Sequence, residues 1–388
     1  MSKSNLKAIL PVMFGFFIMG FVDIIGVATN HIKADFALND VVANSLSTAL
    51  FIWFFILSIP VAMMMNKIGR KSTVLLSFAV QTVAFLVMLV DYSMATVIIA
   101  IILLGIANTI LQVSLNPLVT DVVNGEKLTS TLTLGQFVKA VCSFITPILV
   151  AAFAGMAYGW KLIFPVYAVV SLIALIWLWL TKINETKARD AKTDLSFGGA
   201  LGLLKDPLIL LYFLAILVLV GVDVGMNVTF PAYLQDKFGL DAAAGDRGNS
   251  FYFAAKAIGA FLGGILLMKI SEKNFYKCSV ILALVGIAAL ILAPSKIAAY
   301  ICVVLFGLGY ANLFAIVMSL ALKHKPENAN EVSALLMMGL IGGAIVPPIL
   351  GAATQGAGTH VASIAVLAVI WLYMFCLFGK ALKGKKEN

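Results

Sequence analysis

Long apolar stretches alternate with short polar ones along almost the whole chain, and each is near the ~20 residues that carry a helix across a ~30 Å hydrocarbon layer. Twelve are read, at residues 8–31, 43–66, 73–91, 95–123, 128–156, 160–181, 207–233, 248–270, 275–294, 297–322, 331–356 and 360–381. A bilayer offers no water to an open backbone, so the pattern predicts an all-α membrane protein with twelve transmembrane helices. Short connections force neighbouring helices to run antiparallel. The one long stretch dense in charge is residues 182–206, a cytoplasmic linker whose second part, residues 195–204, is expected to lie as a short amphipathic helix. It divides an N-terminal six-helix bundle, residues 1–181, from a C-terminal one, residues 207–388.

The two parts repeat one another. Asp23 sits midway along the first apolar segment with Asn30 after it, and Gly221-Val222-Asp223-Val224-Gly225-Met226-Asn227 restates that phrase about two hundred residues later. Pro147-Ile148-Leu149 and Pro348-Ile349-Leu350, Asn44-Ser45 and Asn249-Ser250, and Gly105 with Asn108 and Gly309 with Asn312 keep nearly the same offset. Duplicated membrane units with a substrate site at their meeting point are a common plan of secondary transporters.

Composition agrees: of 388 residues 62% are hydrophobic and 12% charged, and the mean hydropathy is +1.05, against roughly 25% charged residues in soluble chains. The formal charge of +9 does not point to nucleic acid, because most Lys and Arg collect on one side of the segments. The other side holds Lys33, Lys161, Lys237, Arg247 and Lys296, a bias that places both termini in the cytoplasm; the expected location is a bacterial inner membrane. Cys142, Cys278, Cys302 and Cys376 show no pair spacing and read as small apolar residues, so no metal site is expected.

Ionisable groups inside the bilayer are costly and mark function. Four stand within segments: Asp23, Asp223, Lys139 and Lys256. Their charges sum to zero, as they would if each half paired one acid with one base; alternatively an aspartate loads a cation and the bridge switches. Gly105, Asn108, Gln112 and Asn116 follow spacings of three, four and four, one side of a helix otherwise made of Ile, Leu and Val. Such a stripe serves either as glue to a partner helix or as a row of hydrogen-bonding groups for a polyhydroxylated solute. Gln136 and Lys139 continue it on the next segment, and Trp53 and Tyr252 are candidates for stacking on a sugar ring. His31, at the outer end of the first segment, is read as a polar end residue.

After the second segment the chain reads Ala62-Met63-Met64-Met65-Asn66-Lys67-Ile68-Gly69-Arg70-Lys71. This resembles the signature loop of the major facilitator superfamily, departing where Ala62 and Asn66 replace Gly and Asp. The departure reduces a charged relay to a hydrogen bond in a loop, Asn66, Lys67, Gly69, Arg70 and Lys71, that the resemblance casts as a gate. Asn116-Pro117, Leu57-Ser58-Ile59-Pro60, Gly221-Val222-Asp223-Val224 and Gly342-Gly343-Ala344-Ile345-Val346-Pro347 resemble the fucose:proton symporter family within it. Gln112 stands where that family has an acid, and the family's first-segment acid aligns nearer Gly26.

The resemblance implies the major facilitator fold: a six-plus-six parallel pseudo-repeat, each half built of inverted three-helix repeats. Spans one, four, seven and ten would line the cavity, and three, six, nine and twelve would face lipid. It implies a monomeric secondary active transporter, not an enzyme, moving a sugar with a cation by alternating access. Asp23 and Asp223 would couple the cation, H+ or Na+, with no other cofactor. Asn30, Trp53, Asn108, Gln112, Asn116, Gln136, Lys139, Asn227, Tyr252, Lys256 and Asn312 would contact the solute. Two other transport readings stay open: symport of a sugar acid or small organic anion held by Lys139, and drug:proton antiport. No HExxH, GxSxG or CxxC pattern supports an enzyme.

Overall fold

The structure, a computed structural model, describes residues 3–38, 40–153, 155–185, 197–240 and 242–378. In chain order its helices are α1 (Lys3–Met19), α2 (Ile24–Asp35), α3 (Asp40–Ile68), α4 (Arg70–Val90), α5 (Met94–Val122), α6 (Gly125–Phe153), α7 (Ile163–Leu180) and α8 (Phe197–Gly202). They continue with α9 (Pro207–Phe238), α10 (Ala242–Leu266), α11 (Glu272–Ile291), α12 (Lys296–Tyr310), α13 (Leu313–His324), α14 (Ala329–Met338), α15 (Gly342–Ala357) and α16 (His360–Trp371). No strand occurs among the described residues. Ten helical stretches there are long and apolar enough to cross a bilayer. The other two expected spans have visible reasons for standing apart. The first is broken by a 3₁₀ turn at Gly20–Asp23, between α1 and α2. In α10, Asn249, Ser250 and Lys256 dilute an otherwise apolar helix.

The chain forms two compact units. The first comprises residues 1–128, 135–202 and 325–338; the second, residues 129–134, 203–324 and 339–388. In the first, α4 packs on α5 and α7 and α1 packs on α5, while the Phe16 ring of α1 sits where a Cβ on Gly135 of α6 would fall. A Cβ at Gly20 would lie 2.8 Å from the Lys139 carbonyl oxygen, so only glycine admits that approach. Phe21 stacks on Tyr167 at 3.8 Å with Phe85 edge-on, an aromatic wedge that fixes the broken helix beside α7. In the second unit α9 packs on α15 and α16, and a Cβ on Gly342 would collide with the Leu217 carbonyl oxygen. Trp371 donates to the Val280 carbonyl at 3.0 Å, anchoring α16 to α11.

Exposed large apolar side chains occur on α4 (Leu76, Val83, Leu86), α7 (Val169, Leu172, Ile173, Ile176) and α11 (Ile281, Val285), three of the four helices expected to face lipid, and also on α3 (Ile52, Phe55, Ile56) and α10 (Phe251, Phe253, Ile258, Phe261). By contrast α5 is buried almost continuously from Leu104 to Val119. Of the expected linker, residues 186–196 lie outside the described residues; the expected short helix is seen as Phe197–Gly202.

Candidate functional site

Each unit gathers its own polar cluster. In the first, Asn108, Gln112 and Asn116 form the buried side of α5. Asn116 donates to the Gln112 carbonyl at 2.8 Å, within its own helix, and its Oδ1 is buried with no partner among the described residues. Pro117 follows and cannot donate to the Val113 carbonyl one turn back. Ser333 supplies that hydrogen bond instead, at 2.8 Å, so the bend is satisfied by α14. Trp53 is half-buried and its indole lies over Gly105, where any Cβ would strike it. The side chain of Asn30 lies outside the described residues.

Asp23 ends the 3₁₀ turn with its carboxylate exposed. The Ser143 hydroxyl donates to its Oδ2 at 2.5 Å and lies 3.1 Å from the Lys139 carbonyl oxygen. Gln136 and Lys139 are half-buried on the same stretch of α6. Ion pairs among the described residues include neither Asp23 nor Lys139, so the expected acid and base pairing does not occur in this unit. The 3₁₀ break holds the acid on its own turn beside Ser143. His31 stacks on Trp160 at 4.9 Å, consistent with a packing role at the helix end.

The second unit does hold the expected pair. Lys256 Nζ lies 2.7 and 2.8 Å from the two carboxylate oxygens of Asp223, with both side chains about a quarter exposed. Tyr252, one turn before Lys256 on α10, donates to Asp223 Oδ1 at 2.5 Å. Tyr252 is fully buried. Its ring is stacked on Phe306 at 5.4 Å, so it buttresses the acid and offers no face for a sugar. Asn312 sits in the gap between α12 and α13, 1% exposed, donating to the Gly259 carbonyl at 3.0 Å, a contact that joins helices. Asn227 has a backbone role: Pro231 leaves its carbonyl without the helical donor, and Asn249 donates there at 3.0 Å.

The loop of Asn66, Lys67, Gly69, Arg70 and Lys71 is built tightly. Gly69 adopts φ 89°, a conformation that disfavours any other residue, and turns α3 into α4. Glu185 accepts from the backbone N–H groups of Arg70 (2.6 Å) and Lys71 (3.1 Å), a carboxylate on a helix N-terminus. Asn66 donates to Glu331 at 2.5 Å and accepts from Asn330 at 2.5 Å. Arg70, 7% exposed, donates to Asn330 (2.7 Å) and to Asp121 (2.9 Å). Lys67 is exposed, while Lys71 donates to the carbonyls of Trp179 (3.0 Å) and Thr181 (2.7 Å). Asp121, Glu185, Asn330, Glu331 and Tyr310 were not singled out in the sequence. Asp121, Glu185, Asn330 and Glu331 lie at helix ends or in the linker, where a polar or charged residue is ordinary, and Tyr310 is one aromatic among many inside an apolar segment.

The family model described as Major Facilitator Superfamily matches residues 12–245. The chain belongs to the major facilitator superfamily. As a member it is a multi-pass membrane transporter and not an enzyme. It is 24% identical over 381 residues to a glucose/galactose transporter of Brucella abortus, covering 94% of this chain and 90% of that one. FucP in the outward conformation superposes with a TM-score of 0.88 at 16% identity, covering 98% of this chain and 100% of that one. The proton:xylose symporter XylE superposes at 0.77 and 12% identity, covering 98% of this chain and 96% of that one. At those identities the two structures speak for the fold alone.

Proposed function

We propose that this major facilitator protein is a proton-coupled symporter of a neutral hexose, with two six-helix halves alternating access. It works as a monomer in a bacterial inner membrane with both termini cytoplasmic. The observation that carries the reading is Asp23: an exposed carboxylate in a break of the first membrane helix, held by one hydroxyl and, among the described residues, by no ion pair. Such a group accepts a proton without dismantling a salt bridge, and loading neutralises a charge whose burial is expensive. A proton suits a carboxylate braced by a single serine, whereas an alkali ion calls for several converging oxygens.

Asn108, Gln112 and Asn116, with Gln136 on α6, supply the amides that bind hydroxyl groups. The glucose/galactose transporter supports the hexose, and the proton symporters of the same fold support the coupling. One charge moved through ~100 mV provides ~2.3 kcal/mol, about a fiftyfold gradient. A second reading, an anionic sugar such as a hexuronate, draws on Lys139, whose ammonium has no acidic partner among the described residues.

Counterflow in proteoliposomes, with radiolabelled glucose, galactose and galacturonate under imposed proton or sodium gradients, tests both. Accumulation of a neutral hexose driven by protons supports the first reading; uptake of galacturonate alone supports the second; sodium-only coupling removes the role given to Asp23.

A further inference from the structure

Asp223 and Lys256 form more than an ion pair. Beyond its two carboxylate contacts, the Lys256 ammonium lies 5.0 Å from the ring centroid of Tyr252 and 4.9 Å from that of Tyr310. The Phe253 ring is at 5.9 Å. Tyr252 and Tyr310 are buried, and both pack on Phe306. A carboxylate with aromatic faces converging on one point is the recognition chemistry of a small monovalent cation: charge from the acid, quadrupole attraction from the rings. Here that point is filled from α10 itself. The cage is assembled from three helices, since Asp223 stands on α9, Tyr252 on α10 and Tyr310 at the end of α12. The lysine reaches it on a flexible four-carbon stem.

We propose that this cage is a monovalent-cation site whose occupant is the tethered ammonium of Lys256. A cation covalently attached to the protein neutralises Asp223 without being drawn from either compartment. This goes beyond the transport reading: whatever the solute, the second unit contributes no exchangeable ion, and an acid that looks like a repeat of Asp23 does different work. Shortening the stem should vacate the cage and leave Asp223 and the two tyrosines around a space for a free ammonium ion.

Binding of radiolabelled methylammonium to the purified full chain in detergent tests this with no sugar and no gradient, so its outcome is separate from that of the transport assay. Lys256→Ala should bind methylammonium saturably, at least ~10-fold above wild type. Adding Asp223→Asn to Lys256→Ala should return retention to the wild-type level. Because removing one partner of a partly buried pair can prevent folding, Lys256→Ala is also purified with and without methylammonium. The expected result is a higher melting midpoint or a recovered monodisperse fraction with the amine present. The absence of both retention and stabilisation by methylammonium would overturn the proposal, and so would equal retention by wild type.

Discussion

Asn66→Asp restores the residue that the loop motif leads one to expect, yet the structure argues that it should weaken this protein. Asn66 Nδ2 donates to Glu331 Oε1 at 2.5 Å while its Oδ1 accepts from Asn330, so the amide serves as donor on one side and acceptor on the other. Aspartate keeps the acceptor and loses the donor. Two carboxylates would then face one another at about 3.5 Å, where an effective dielectric near 20 gives ~5 kcal/mol of repulsion. The lost hydrogen bond to a charged acceptor adds ~1.5–3 kcal/mol. Asn66 is partly exposed although Asn330 and Glu331 are buried, so relaxation and water at the Asn66 side reduce the net cost to ~2–4 kcal/mol. For a chain of 388 residues, at ~2.1 cal/mol/K of unfolding entropy per residue, that lowers the melting midpoint by ~2–5 °C. The assay is thermal unfolding in detergent of wild type, Asn66→Asp and the double variant Asn66→Asp with Glu331→Gln. In the double variant the glutamine amide can donate to the new carboxylate, and most of the loss should return. A single variant as stable as wild type, or a double variant no better than the single, would refute the argument.

Three further outcomes follow from particular contacts. Arg70→Lys should cost ~2–3 kcal/mol in the same melting assay. A lysine cannot bridge Asn330 and Asp121 at once, and a nearly buried acid would lose its forked partner. Gly342→Ala should lower the midpoint, because its Cβ meets backbone at Leu217, whereas Gly356→Ala, with nothing within 4 Å, should leave it unchanged or raise it. Asp206 caps α9 and its carboxyl is held below the ordinary 3.8: burial raises it, but hydrogen bonds from His324, Leu208 and Ile209 outweigh that. A depressed carboxylate stabilises the fold above the ordinary value and loses that contribution as pH falls through the folded value. Asp206→Asn should therefore flatten the acid limb of the stability profile below about pH 4.

The membrane fold was legible because apolar length and repeat offset are one-dimensional signals; the polar stripe of α5 is likewise read from spacing alone. What could not be read was which polar residues face one another. Tyr252 looks like an aromatic for stacking until the geometry shows its hydroxyl spent on Asp223. Asn227 looks like a solute ligand, yet its carbonyl, stranded by Pro231, is what the structure puts to use, accepting from Asn249. The formal symmetry of two acids and two lysines suggested two equal bridges. Only the second unit has one, because α10 brings Lys256 within reach of Asp223 while a 3₁₀ turn sets Asp23 apart beside Ser143. Long-range hydrogen bonds such as Asn66 to Glu331 leave no trace in local periodicity.

The central claim is that Asp23 carries the driving ion, and the direct measurement compares uphill uptake with exchange in proteoliposomes for Asp23→Asn. With a neutral side chain that cannot gain or lose a proton, the variant should exchange internal for external hexose near the wild-type rate while failing to accumulate it against a gradient. Full proton-driven accumulation by Asp23→Asn would contradict the account.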